Sequence, residues 1–439
     1  MRPLNWHAVL HAHTAVVALV VATHLAGCAA PANGLGSAIT LDDASEWGSQ
    51  AGQPGLVAEP AQQDTLDRAE EFSFEQDDWP MFRGNALLTG VAGGTLPEPL
   101  ELIWTRQVEG KNESIESSAA IVNNVVFIGT IGGYMHALNL VDGKPLWKYS
   151  TVDRSGDVSA GVELPPAIKS SPAVAEGRVF FGDEAGVFHC LDAKSGEPVW
   201  KFNTNTGAEI VSSANVIGDR VLFGSWDENL YCLSIATGKE LWKFKTGGPV
   251  NCTPAVVDGK TFLSGCDALL RVVNIEDGSE VGSCEMESQT GASPAVLGDR
   301  LFVGHMGCQV LGIDWKKPEV AWRYENPDRH FEFYSSAATT QRMVIVGGRD
   351  KLVHALDPAN GNIRWTFPTK GRVDSSPVIV GKRVYIGSHD GNIYGLDLDS
   401  GKEVWKFTTG GKVASSPAVA AGRMVVANDE GKIFCFGAQ

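Results

Sequence analysis

The sequence predicts an all-β fold, an eight-bladed β-propeller of four-stranded antiparallel blades, on three observations. The first is a repeat frame. Measured back from Trp405, Gly401 lies four residues away, Asp397 eight, Gly387 eighteen and Ser376 twenty-nine. The frame fits without gaps on Trp147, Trp200, Trp242, Trp322 and Trp365, and twice more on Gly282 and on a position six residues past Gln439. Twenty-nine residues before the origin, all eight copies carry a hydroxyl: Ser118, Ser171, Ser213, Thr253, Ser293, Ser336, Ser376 and Ser416. A spacing of about 40 residues held in this way marks a repeat architecture. The second observation is the content of one unit, residues 375–407, where β-branched and aromatic runs alternate with Gly, Asp, Asn and Ser turns, as four hairpin-linked strands require. The third is the way the ends match. The last copy stops at Cys435-Phe-Gly-Ala-Gln439 after three strands, and the missing tryptophan strand stands at the other end as Leu100-Glu-Leu-Ile-Trp104-Thr-Arg. Joining them completes the eighth blade and leaves no open edge in the ring.

Within each unit, Ser-Pro-x-Val opens the first strand and a Gly-Lys or Gly-Asp pair turns into the second. A polar turn leads to the third strand, and an Asp-Ser-Gly type turn leads to the fourth. The tryptophans Trp104, Trp147, Trp200, Trp242, Trp322, Trp365 and Trp405 are the expected pieces that dock each blade on its neighbour, since one blade cannot bury both of its faces. Gly282 stands where the fourth unit should have its tryptophan, and Ser264 where it should have its turn glycine.

Before the ring, residues 1–27 read as an export signal: Arg2, then the apolar run AVVALVVA at 15–22, then Leu25-Ala26-Gly27-Cys28. The run is too short to span a membrane as a helix. Leu-Ala-Gly-Cys resembles the bacterial lipobox, which implies cleavage before Cys28 and acylation of its thiol. Ala29 after it resembles the outer-membrane retention pattern. Residues 28–78 read as a solvated tether, with 11 acidic residues against one arginine between 29 and 78. Most of the formal net charge of −16 lies there. No basic footprint for nucleic acid is present. Residues 79–439 form the predicted propeller.

Trp79-Pro-Met-Phe-Arg-Gly84 and the A-x-D-x-x-T-G-x-x-x-W pattern of the units resemble the pyrroloquinoline-quinone (PQQ) repeat superfamily. The pattern stands here as Ala355-Leu-Asp357 to Gly361 to Trp365, and as Gly395-Leu-Asp397 to Gly401 to Trp405. The resemblance implies one of two kinds of protein. One is the quinoprotein dehydrogenases, which hold PQQ and calcium over the axial channel. The other is the non-enzymatic scaffold lipoproteins similar to BamB, of the outer-membrane assembly machinery. The dehydrogenases' adjacent cysteine pair is missing from the eight cysteines here, and no calcium triad can be placed. The expectation is a non-catalytic, lipid-anchored, monomeric ring that binds protein partners at the periplasmic side of the outer membrane. A PQQ-dependent dehydrogenase, a small-ligand sensor using the axial funnel, and a carbohydrate- or peptide-processing enzyme stand as alternatives.

Candidate site residues follow from the blade order, which puts the fourth-to-first-strand connections and the second-to-third-strand turns on one face around the axis. Thirty-one residues before each origin, the ring at the mouth reads Glu116, Lys169, Val211, Asn251, Gly291, Tyr334, Asp374 and Ala414. Two connections depart from the short polar norm: residues 150–168, and Asn326 to Tyr334. The latter carries Arg329, His330, Phe331, Phe333 and Tyr334, a composition that suits an interaction hot spot. Phe331 and Phe333 could instead both fold inward as a cap. His136, His189 and His354 share one frame position, where other blades have Tyr or Phe, and read as strand-face residues. His305 and His389 read as surface turn residues. Cys190, Cys232 and Cys435 read as small packing residues. Cys252, Cys266, Cys284 and Cys308, clustered in the two units around Gly282, could include a disulfide that offsets weak docking there.

Overall fold

The computed structural model describes residues 78–110, 113–152 and 165–438. Cys28, the export signal and the tether up to residue 77 lie outside them. The described residues contain strands and no helix, arranged as eight sheets. Seven sheets are four-stranded and follow the predicted order. The eighth blade is closed by Glu101–Gln107 pairing antiparallel with Lys432–Gly437, Trp104 opposite Cys435. The joining of the two ends predicted from the sequence is therefore observed.

Within a blade the second and third strands are buried along their length, as in Arg383–Gly387 and Asn392–Asp397. The fourth strand, such as Glu403–Thr408, alternates between exposed and half-buried residues because it forms the outer rim. A register shift interrupts the pairing of third and fourth strands just before the tryptophan position, for instance between Gly395 and Leu396. The same shift occurs in all eight blades. A bulge here bends the strand and re-aims a side chain, and the indole is sent across to the neighbouring blade.

The tryptophans dock as expected. The indole N–H of Trp365 donates to the Leu398 carbonyl of the next blade at 3.0 Å, and Trp104, Trp147, Trp200, Trp242, Trp322 and Trp405 make the equivalent bond at 2.9–3.0 Å. Each ring but the last lies over the turn glycine of the following blade. Gly401 has φ of 68°, and a Cβ there would stand 2.5 Å from the Trp365 ring. The position needs glycine both for its left-handed backbone and for the ring above it. The eighteenth-position glycines have a separate cause. A Cβ on Gly387 would meet the Val413 side chain at 2.3 Å, and one on Gly182 would meet Ile210 at 2.1 Å. In six of the eight steps the chain entering the next blade buries an apolar side chain against that glycine.

The segment from Asp78 to Ala92 does more than lead into the closing strand. It runs along the inner edges of the first strands, one blade after another. Ile121 N–H donates to the Trp79 carbonyl, Val174 to Pro80, Val256 to Ala86, Val296 to Leu87, Thr339 to Thr89 and Ile379 to Gly90, at 2.7–2.9 Å. In the third blade the Asn215 side chain takes the place of the backbone, donating to the Ala86 carbonyl at 2.9 Å. Val91–Ala92 then adds a parallel strand to Val378–Val380, which makes that sheet five-stranded. The innermost strands would otherwise leave unpaired N–H groups at the axis, and such groups are costly when buried. Trp79, Met81 and Leu88 are buried with the blade cores.

Of the cysteines, Cys190, Cys232 and Cys435 are fully buried, as expected of packing residues. Cys252, Cys266, Cys284 and Cys308 are all free thiols, so the disulfide considered for the fourth and fifth units does not form. His305 corrects a second expectation. It is buried, and its Nδ1 accepts the Gly307 N–H at 2.9 Å, because the turn folds the ring back on its own backbone. The side chain of His389 is also mostly covered, 3.5 Å from the Asp374 carboxylate. His136, His189 and His354 are buried on the strand face. His189 and His354 each join an aspartate of their own blade to a tyrosine of the preceding one. Nε2 of His189 is 2.8 Å from Asp183 and its Nδ1 3.2 Å from the Tyr149 hydroxyl. His354 sits in the same way between Asp350 and Tyr324.

Candidate interaction face at the channel mouth

The axial channel opens into a funnel of about 180 Å³ on the face that carries the fourth-to-first-strand connections. Its lining is the two frame positions read from the sequence. The rim is Glu116, Lys169, Val211, Asn251, Gly291, Tyr334, Asp374 and Ala414, and the eight hydroxyl residues lie below it. Phe82, from the axial segment, lines the funnel as well. The segment's backbone bonds fall three residues further along each first strand than the hydroxyls, about 10 Å deeper at the rise of a β-strand.

The recurrence of a hydroxyl in every copy now has a cause. The Ser118 N–H donates to the Ser171 Oγ, Ser171 to Ser213, Thr253 to Ser293, Ser293 to Ser336, Ser336 to Ser376, Ser376 to Ser416, and Ser416 back to Ser118, at 2.8–3.0 Å. Seven of the eight blade-to-blade steps around the axis are closed by this bond.

Two ionic groups stand on the rim. Lys169 pairs with Glu184 and lies 3.7 Å from Glu209. Burial works against its charge, but those carboxylates and Glu116 hold the ammonium above the ordinary lysine pKa. On the other side the Arg349 guanidinium carbon stands over Tyr334, 3.5 Å from the ring centroid, and the guanidinium donates to both oxygens of Asp374 at 2.9 and 3.1 Å. Asp374 also takes Arg372 at 3.0 Å. Burial pushes the Tyr334 hydroxyl up, and the Asp374 pairing outweighs burial to raise the Arg349 guanidinium. Tyr334 and Asp374 are therefore partly committed to a rigid cluster, and Glu116 remains exposed at the rim.

The connection from Asn326 to Tyr334 divides between the two readings of its phenylalanines. Phe333 is 1% exposed and Phe331 is 49% exposed. Phe333 occupies the entry position that Ile168, Ile210, Val250, Val373 and Val413 fill elsewhere, and a Cβ on Gly304 would meet it at 2.5 Å. The frame thus demands that Phe333 be buried and makes no demand on Phe331. Arg329 is exposed and anchored by one bond to the Asp350 carbonyl at 2.8 Å, and His330 is exposed with Nδ1 2.7 Å from Glu325. Arg329, His330 and Phe331 form one exposed group beside the mouth. Of the other long connection, residues 153–164 lie outside the described residues. The axial segment and its buried Arg83 are what the sequence reading missed. The available signal was the unpaired inner edge of eight first strands beside an apolar stretch with no other place to go.

Among the described residues no group of three His, Cys, Asp or Glu side chains is placed to hold a metal ion. A funnel of about 180 Å³ is also below the roughly 300–1,000 Å³ of cofactor pockets.

The family model described as "Outer membrane protein assembly factor BamB" matches residues 101–225, 184–349 and 349–438. Among curated proteins, the chain is 31% identical over 106 residues to the 1-butanol dehydrogenase (cytochrome c) of Thauera butanivorans, covering 24% of this chain and 15% of that one. It is 29% identical over 93 residues to the outer membrane protein assembly factor BamB of Escherichia coli, covering 21% and 22%. The aligned stretches thus span less than a quarter of either relative. Among solved structures, BamB from Moraxella catarrhalis superposes with a TM-score of 0.63 at 16% identity, over 77% of this chain and all of that one. The quinohemoprotein alcohol dehydrogenase of Comamonas testosteroni superposes at 0.69 and 13%, over 85% and 82%. At these identities the superpositions speak for the fold alone.

Proposed function

The chain belongs to the BamB family of PQQ-repeat β-propellers, and on that premise we propose that it is a non-catalytic protein-binding scaffold of the cell envelope, with a role in outer-membrane protein assembly. The observation that carries this reading is the connection from Asn326 to Tyr334. Its inner end is locked into the core through Phe333, and its outer end holds Arg329, His330 and Phe331 against solvent. A large apolar ring beside an arginine, on a backbone fixed at both ends, is the composition of a hot spot that loses little conformational freedom on binding. In this reading the ring works as a monomer, a lipid on Cys28 holds it to the outer membrane facing the periplasm, and the acidic tether sets its reach.

The test is capture of envelope partners by the full chain and by an Arg329→Ala, Phe331→Ala double variant. Both substituted side chains are exposed, so the melting temperature should move by no more than a degree or two while capture is lost. Undiminished capture by a folded double variant would place the interface elsewhere on the ring.

A further inference from the structure

The funnel has a chemistry that partner docking at Phe331 does not use. Each of the seven hydroxyl oxygens in the ring accepts a backbone N–H from the preceding blade. Among the described residues none of them donates its own proton to a protein acceptor. The lone pair directed along the ring is taken, and the O–H groups remain free to turn toward the axis. A hydroxyl is one donor with two acceptor sites, and the fold has used the acceptor side in a repeated way. The axis is therefore lined by hydroxyls whose donor protons are uncommitted.

Beneath them lies an unpaired positive charge. Arg83 is 1% exposed. Its Nη2 donates to the carbonyls of Ala337 at 3.1 Å and Pro377 at 2.5 Å, each one residue past a ring serine, Ser336 and Ser376. Its Nε and Nη1 are buried with no partner. No carboxylate among the described residues pairs with it, and its guanidinium carbon is 5.9 Å from the centre of the Phe82 ring that lines the funnel. An orphaned donor in the interior costs far more than an exposed one, and an isolated buried cation costs more still. The fold keeps this arginine close by: a Cβ on Gly90 would stand 1.8 Å from Nη2, so only glycine leaves room for the guanidinium.

We propose that the axial funnel is a binding site for a small oxyanion, held by the hydroxyl ring and stabilised electrostatically by Arg83 below it. The rim does not contradict this. Asp374 takes two cations, Arg349 and Arg372, and that surplus positive charge offsets the one carboxylate that Lys169 leaves over between Glu184 and Glu209. Glu116 is the one exposed carboxylate at the mouth. The volume of about 180 Å³ equals about six water shares, which suits a phosphate- or sulfate-sized ion.

The experiment uses the full chain with inorganic phosphate and sulfate as probes, against chloride at equal ionic strength. Ligand that binds only the folded state raises the melting temperature in a saturable way. Phosphate or sulfate should raise it by several degrees with saturation in the millimolar range. An Ala414→Phe variant, which obstructs the mouth without removing any ring bond, should melt like the parent in chloride and lose that increment. Gly291→Trp, across the rim, serves as the second plug should the first misfold. Crystals soaked in selenate should show an anomalous peak on the axis between the hydroxyl ring and Phe82. An equal phosphate effect in a folded plugged variant, a linear unsaturable effect, or an axis without selenate would each overturn the proposal. Capture of partners through Phe331 should be the same with and without phosphate, so the two readings fail separately.

Discussion

The interface between the sixth and seventh blades and the one between the fourth and fifth bury an indole by opposite routes. In the first, Trp365 reaches forward, lies on Gly401 and bonds the Leu398 carbonyl, with Phe367 packed edge-on to Tyr394 at 5.2 Å. In the second, Gly282 has no side chain to send, and the following turn has Pro318 where the others have glycine, with the proline Cγ 3.0 Å from where a Gly282 Cβ would be. Trp315 of the fifth blade reaches backward instead. It meets Phe262 of the fourth blade edge-on at 5.2 Å, and its N–H bonds the Gly298 carbonyl of its own blade at 2.9 Å. The lock is inverted, and the ring supplying it belongs to the other partner. Packing density is what the fold conserves, and the residue that provides it can change sides.

The largest expected effect tests the forward lock where the ring closes. Trp104→Ala removes the indole that lies on Gly143 and bonds Leu140, and should cost about 3–5 kcal/mol. Because the closing strand joins the two ends, the loss should appear as one earlier transition of the whole propeller, seen together by tryptophan fluorescence and circular dichroism. A separate minor transition with the main one unmoved would show that the closure is peripheral.

Trp315→Ala tests the inverted lock. Trp315 is 7% exposed, and its loss should cost about 3 kcal/mol in urea unfolding. A cost under about 1 kcal/mol would mean that the fourth and fifth blades are held mainly by something else.

A third interface sharpens the comparison through pH. His136 belongs to the first blade, with Arg106 of the closing strand and Lys148 of its own blade as neighbouring charges. Burial first, then Lys148 and Arg106, push its pKa down to about 3. The folded-state value lies below the unfolded one of about 6.5. Its contribution is therefore fully present above about pH 6.5 and is lost progressively as the pH falls toward 3, since only the unfolded chain takes up the proton. At pH 5 the loss is about 2 kcal/mol. His136→Phe, the residue type that Phe434 supplies at this position in the eighth blade, should reduce the fall in stability between pH 7 and 5 by that amount. An unchanged slope would show that His136 is not held neutral.

The smallest effect is a coupling. Gly282→Trp alone sets an indole against Pro318 and should destabilise. Adding Pro318→Gly should recover about 1–2 kcal/mol, a non-additivity that measures whether the forward lock can be rebuilt. Strict additivity would show that the two positions do not communicate.

Much of the site was legible for the same reason that the blades were. Glu116, Lys169, Tyr334, Asp374 and the eight hydroxyls hold fixed offsets from a tryptophan, and a fixed offset in a repeated unit becomes a ring in space. The split between Phe331 and Phe333 was within reach too. Phe333 falls on the entry position held by Ile or Val in most units, but this was recognisable only once the partner glycine's reason was known. The inverted lock was not legible: Trp315 stands at the frame position that holds Leu140, Ile235, Ile275 and Leu398 in other units, and nothing in that offset says that its ring reaches Phe262 in another blade.

The sequence by itself determined the blade, the number of blades, the closure by Trp104 and the identity of the mouth residues. All of these rest on local strand and turn chemistry repeated eight times, so each copy corrects the reading of the others. Only the tertiary structure decided the path of Trp79 to Ala92 around the axis, the burial of Arg83 without a counter-charge and the direction of the Trp315 lock. Each of these occurs once, between residues far apart in the chain. Their positions are set by which N–H groups and which volumes the assembled ring leaves unfilled, and those exist only after the ring has closed.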